Sequence, residues 1–223
     1  MDNTPASLGT TIVAVAFDGG VVLGADTRTS MGDFVSNRVT QKIQDLCDNV
    51  YFLRSGSAAD TQAIQDYVRH MVAEHSATCG EPGVAEVRTV ANLVTQIAYN
   101  NKNMLQAGMI VAGYDKYEGG VVYGIPLGGS LVEGYKIQIG GSGSAYIRTW
   151  VDDNFREGMS KEDAEAFVKR AVELAIVRDG SSGGCIRLAT VTKDGVSRQA
   201  FVGQRHHNAY GEMPEPEPVA SRA

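Results

Sequence analysis

Apolar residues follow two alternating regimes along this chain. Over residues 11–17 and 21–26 they form short, nearly continuous runs joined by Asp18-Gly19-Gly20. This spells a tight hairpin, because glycine accepts the positive φ that such a turn demands. Residues 50–54, after Asp48-Asn49, read as a further strand of the same sheet. The period then changes. Ile64, Tyr67, Val68, Met71, Val72 and His75 recur at helical spacing, as do Val87, Val90, Val94, Ile97 and Met104. Two helices are predicted, each burying one face, around the turn Gly80-Glu-Pro-Gly83.

Strand-like runs return at 109–114, 121–126 and 132–139, punctuated by Glu118-Gly-Gly and Gly128-Gly. Helical patterns follow at 144–155 and 160–178, the second with Ser160 and Asp163 spaced as an N-terminal cap. Residues 184–192 and 196–202 close with a hairpin around Asp194-Gly195. Hairpins in groups, with helix pairs segregated between them, predict an α+β fold of two antiparallel sheets stacked face to face and flanked outside by helices. Sheets dry on both faces account for strands that are continuously apolar rather than alternating. After Gly203 the chain turns to proline and glutamate and is expected not to pack.

Composition narrows the class. A chain of 223 residues, 43% hydrophobic and 21% charged, can build one domain with one large core. No window has the apolar length of a membrane span, and the first nine residues lack the basic start and apolar stretch of a secretory signal. The expectation is a protein that stays inside the cell. A net charge of -6 argues against nucleic acid and anionic membrane as partners. Cys47, Cys79 and Cys185 are widely spaced with no CxxC, and His70, His75, His206 and His207 fall on a predicted helix and in the tail. Free thiols are expected, with no metal and no cofactor.

The chemistry-bearing residues are ordinary when taken singly. Thr10 and Thr11, after Gly9, can simply start a strand, Asp26 can cap a turn, and Lys42 can be a solvated lysine. Gly140-Gly-Ser-Gly-Ser144 lacks the lysine of a phosphate loop, and Arg178-Asp-Gly-Ser-Ser-Gly-Gly184 can merely end a helix.

In order along one chain they carry more. Gly9-Thr-Thr, Leu23-Gly-Ala-Asp-Thr-Arg28, Asn37-Arg-Val-Thr-Gln-Lys42, Ser55-Gly-Ser-Ala-Ala-Asp60 and the two glycine-rich segments together resemble the catalytic beta subunits of the 20S proteasome. These are N-terminal-nucleophile (Ntn) threonine hydrolases, and the resemblance spans residues 9–203. It implies the four-layer αββα sandwich of that family. It also implies an autocleaved propeptide at 1–9, a peptidase domain at 10–203 and an acidic tail at 204–223.

By the resemblance, Gly9–Thr10 is the autocleaved bond and Thr10 the nucleophile, with its own freed α-amine, pKa about 7.7 to 8.0, as base. Asp26 and Lys42 match the charged pair beside it. Ser142, Asp179 and Ser182 match the groups around the new terminus, and Gly56 the oxyanion donor. Ser30, Gly56 and Ala58 match backbone positions that pair with an extended peptide. Thr29, Thr40, Arg54 and Gln62 match the S1 pocket, where an arginine invites an acidic P1 residue, as in the caspase-like, beta-one type. Ser30 stands where the family often has threonine. Thr11 is expected to be a strand residue and nothing more.

The implied activity is threonine endopeptidase, EC 3.4.25.1 type, in ubiquitin-dependent degradation of unfolded polypeptides. The implied partners are other beta and alpha subunits in stacked seven-membered rings, in cytoplasm and nucleus. A non-catalytic structural beta subunit, the related bacterial two-ring peptidase and a glycine-loop ligand-binding module are the alternatives.

Overall fold

The computed structural model describes residues 9–31 and 34–202. Residues 1–8 of the expected propeptide and the tail expected at 204–223 lie outside the described residues.

The first hairpin joins β1 (Ile12–Phe17) to β2 (Gly20–Asp26) in register from Phe17–Gly20 to Ile12–Ala25. Its strands form the centre of a five-stranded sheet ordered β11-β10-β2-β1-β9, with β9 at Ile137–Gly140, β10 at Ile186–Thr192 and β11 at Gly195–Phe201. The second sheet, β5-β6-β7-β8, comprises Ile43–Asp45, Val50–Gly56, Ala107–Asp115 and Gly119–Ile125. Every pairing in both sheets is antiparallel.

Chain order misassigns one strand. β6 was expected beside the first hairpin, yet it pairs with β7 in the other sheet. The open side of β2 is taken by β10, which pairs residue for residue from Ile186–Asp26 to Thr192–Gly20. Three short strands also escape the pattern: β5, and the separate hairpin of β3 (Thr29–Met31) with β4 (Phe34–Asn37). Each is three or four residues long with mixed polarity, too short to display a period. The run expected at 132–139 is extended only as β9, with Val132 making an isolated bridge to Gly124. Gly134, at φ +83°, breaks it in between.

The helices follow their patterns closely. α1 (Ala58–Cys79) is capped by Ser57, whose side chain accepts the Asp60 N–H, and α2 (Val87–Asn100) ends before Met104, which is exposed. α3 (Ser144–Asn154) and α4 (Lys161–Arg178) pack on the opposite side of the molecule, and Ser160 caps α4 by accepting from the Asp163 N–H.

Three apolar clusters separate the four layers. Val68, Val72, Val90 and Val94 of α1 and α2 meet Phe52 and Val111 of the second sheet. Ile12, Leu23, Leu53 and Ile110 fill the space between sheets. Val168 and Val172 of α4 and Ile147 of α3 cover Val13, Val15 and Val22. Alternate residues of β1 thus face two different cores, so the strand is apolar throughout. β11 is the exception, an edge strand exposed along most of its length. The stacking brings the start of β1, the ends of β2 and β6, and the ends of β9 and α4 to one end of the sandwich.

Candidate active site

Asp26 is the last residue of β2 and is fully buried. Its Oδ1 accepts from the Thr11 N–H at 2.8 Å and from Lys42 Nζ at 2.7 Å. Its Oδ2 accepts from the amides of Arg28 at 3.1 Å and Gly183 at 3.0 Å. Four donors commit both oxygens and fix the carboxylate in place. Lys42, only 4% exposed, immediately precedes β5 and points inward to this partner. Burial pushes its pKa below the ordinary lysine value, and Asp26 pulls in the opposite direction. Arg54 lowers it further, because a second positive charge disfavours the protonated amine.

The same ammonium donates to the Gly9 carbonyl oxygen at 3.1 Å, and the Thr10 hydroxyl donates to it at 2.7 Å. Two donors, one cationic, thus converge on the carbonyl that precedes Thr10, drawing electron density from its carbon. Nothing larger than glycine fits before Thr10: a Cβ on Gly9 would stand 2.1 Å from both the Cβ and the carbonyl oxygen of Ser181.

On the other side of Thr10, its backbone N–H donates to Ser142 Oγ at 3.1 Å. Ser142 lies in the loop between β9 and α3. Its hydroxyl donates to Asp179 Oδ2 at 2.7 Å, as does that of Ser182, also at 2.7 Å. Asp179 closes the C-terminus of α4, and its Oδ1 accepts the Ser181 N–H at 3.0 Å. The loop after α4 thus carries Asp179, the second carboxylate of the site, as the resemblance implies.

Beside Thr10 opens a small cleft lined by Thr29, Thr40, Lys42, Arg54, Gly56, Ala58 and Thr61. Gly56 ends β6 at φ +92°, and a Cβ there would approach the Gln106 carbonyl oxygen to 2.1 Å, so this position requires glycine twice over. The Thr29 and Thr40 hydroxyls share a hydrogen bond of 2.7 Å. Arg54 is 6% exposed and forms no ion pair among the described residues. Its Nη2 and Nε donate to the Gln41 carbonyl at 3.0 and 3.3 Å, and its Nη1 to that of Ala58 at 3.4 Å. Burial lowers its pKa from the usual arginine value. A cation held by neutral carbonyls alone leaves its charge unmatched inside the cleft.

Two predicted substrate-binding positions are not among the residues that line this cleft. Gln62 is exposed on α1 and Thr61 lines the cleft in its place. Ser30, expected as a backbone pairing position for an extended peptide, is buried in β3 opposite Val35. Residues that sequence reasoning passed over are Thr11, bonded to both carboxylate systems, Gln41, whose carbonyl anchors Arg54, and the Gly183 amide on Asp26. The threonine doublet was the available signal for Thr11. Among the described residues, no cluster of three or more histidine, cysteine or carboxylate side chains forms a metal site.

Comparison with known proteins finds a family model described as "Proteasome subunit", which matches residues 6–191. The chain is 53% identical over 203 residues to proteasome subunit beta type-6 of Arabidopsis thaliana, covering 91% of this chain and 86% of that protein. It is 50% identical over 204 residues to proteasome subunit beta type-6 of Dictyostelium discoideum, covering 91% and 93%. It is 48% identical over 195 residues to proteasome subunit beta type-1 of Saccharomyces cerevisiae, covering 87% and 89%.

Proposed function

Because this chain belongs to the proteasome subunit family, and its relatives make it a beta subunit of the proteasome core, we propose that it is a catalytic one. It acts as a threonine endopeptidase that cleaves after acidic residues. One observation carries the catalytic reading. The buried Lys42–Asp26 pair directs its ammonium, at 3.1 Å, to the carbonyl oxygen of the bond before Thr10.

In the intact chain the Thr10 nitrogen is an amide and cannot act as a base. The Thr10 hydroxyl attacks the Gly9 carbonyl carbon while Lys42 stabilises the charge that develops on oxygen. The Gly9–Thr10 C–N bond breaks, an ester forms at Oγ1, and the nitrogen takes up a proton. Water then opens the ester, releasing residues 1–9 and leaving Thr10 with a free α-amine. That amine, donating to Ser142, keeps its lone pair for the Oγ1 proton in each later attack on a substrate carbonyl. The Gly56 amide receives the substrate oxyanion.

Specificity rests on Arg54. Among the described residues its buried guanidinium has only carbonyl partners, so a P1 carboxylate supplies the missing counter-charge. Replacing Arg54 with Met should cut kcat/KM for acidic-P1 peptides by about 10- to 100-fold, the worth of one charge-assisted bond, while apolar-P1 cleavage holds or rises. An unchanged ratio across a peptide panel overturns the pocket assignment.

The partners are other beta and alpha subunits in stacked rings, the substrates are unfolded polypeptides, and the setting is ubiquitin-dependent degradation in cytoplasm and nucleus. Intact mass of the chain recovered from assembled particles tests the reading together with cleavage of acidic-P1 peptides. The expected result is loss of residues 1–9 and activity. A chain that retains Met1 in fully assembled, inactive particles identifies a structural beta subunit instead.

A further inference from the structure

Thr11 was expected to be a strand residue, yet it precedes β1 and is fully buried between the two carboxylates of the site. Its amide donates to Asp26 Oδ1, the oxygen that also holds Lys42, and its carbonyl accepts the Asp26 N–H at 3.2 Å. Its hydroxyl lies 2.8 Å from Ser182 Oγ.

The direction of that last bond follows from counting protons. A serine hydroxyl has one to give. Ser182 gives its proton to Asp179 at 2.7 Å, so the contact with Thr11 runs from Thr11 to Ser182. Ser142 likewise gives its proton to Asp179 at 2.7 Å, the alternative acceptor, the Thr10 carbonyl, being 3.4 Å away. Ser142 is thereby left to accept from the Thr10 nitrogen. Every proton in the row points toward Asp179, from Thr11 through Ser182 on one side and from Thr10 through Ser142 on the other.

A second observation bears on the hydroxyl itself. A Cβ on residue 143 would stand 2.0 Å from Thr11 Oγ1, so Gly143 keeps open the space that this oxygen occupies. A valine at position 11 suits a strand equally well. It also leaves the oxygen of Ser182, a residue 1% exposed, with no donor.

We propose that Thr11 is a positioning residue of the peptidase site: its hydroxyl sets the proton order along Ser182, Asp179 and Ser142 that takes the Thr10 N–H as donor and leaves the lone pair of the freed amine to accept the Oγ1 proton. This rests on the reading of Thr10 as nucleophile and base. The charged groups around that nitrogen are Lys42, Asp26 and Asp179, with Arg54 farther along the cleft. Without the Thr11 donor, Ser182 is a weaker donor to Asp179. More of the Asp179 charge then falls on Ser142 and the terminal amine, which holds its proton more tightly.

The test uses assembled particles carrying Thr11→Val, Thr11→Ser or Thr10→Ala beside the unaltered protein. Thr11→Val should lower kcat about 10-fold with KM nearly unchanged. The acid limb of its pH profile of kcat/KM should move upward by several tenths of a unit, roughly the effect of one altered hydrogen bond. Thr11→Ser, which keeps the hydroxyl, should restore both. If Thr11→Val matches the unaltered protein in kcat and acid limb, or if Thr11→Ser fails equally, the positioning role is overturned while the nucleophile assignment stands. If Thr10→Ala retains activity, the reading of the site falls and the role of Thr11 with it.

Discussion

Thr10→Ala particles should retain residues 1–9 by intact mass and lose cleavage of acidic-P1 peptides by at least about 10⁴-fold, the scale seen when a nucleophile is deleted. The substitution removes the hydroxyl and a methyl but leaves the surroundings held. Lys42 still donates to the Gly9 carbonyl and to Asp26, Gly143 N–H still donates to the Thr10 carbonyl, and the backbone amide still reaches Ser142. Folding and assembly should therefore survive, and the loss belongs to the chemistry. Both readouts must fail together, because one oxygen performs the self-cleavage and every later attack. Particles that are processed and fully active without this hydroxyl would overturn the assignment.

This coupling gives glycine at position 9 a definite task. The residue must lie against Ser181 with no side chain while its carbonyl meets both the Thr10 hydroxyl and Lys42. The site is thus assembled around the uncut chain. On the proposed mechanism, cutting releases only the segment before Thr10 and converts an amide donor to Ser142 into an amine with a free lone pair. The Asp179 row already receives that nitrogen before the cut, so no rearrangement of Ser142 is needed afterwards.

Much of this arrangement was legible from residue order, for identifiable reasons. α1 and α4 are long and amphipathic, and the β1–β2 and β10–β11 hairpins turn at Asp-Gly, so local chemistry determines them. Sheet membership was not legible. The β2–β10 pairing joins residues about 160 positions apart, Asp26 and Ile186 among them, and nothing local in either strand names the other. For the same reason β6 was placed with its neighbours in sequence. Within the site, residue types announced Asp26, Lys42 and Asp179 only as members of an ordered set of motifs. The role of Thr11 was hidden because a β-branched residue before a strand has a sufficient local explanation. A motif match also says nothing of exposure: Thr61 is buried and lines the cleft, whereas Gln62, beside it on α1, is exposed.

Lys42→Met tests the other half of the mechanism, and we expect self-cleavage to slow by about 10³-fold, the upper range for removing one preorganised donor to a developing oxyanion, and peptide hydrolysis to be lost with it because the Thr10 amine is not freed. Methionine matches the lysine stem in length, so the buried volume is nearly conserved. Asp26 keeps three of its four donors, the amides of Thr11, Arg28 and Gly183, and is not left as a bare buried charge. A melting temperature close to that of the unaltered particle should accompany the lost activity, which separates the chemical role from a structural one. The lysine is needed for more than charge balance. Burial pulls its pKa below the usual lysine value, and Asp26 opposes that pull by holding the charged form, the form that donates to the Gly9 carbonyl oxygen. Processing and cleavage at unaltered rates in Lys42→Met particles would remove the ammonium from the mechanism and leave Asp26 as a purely structural anchor for Thr11.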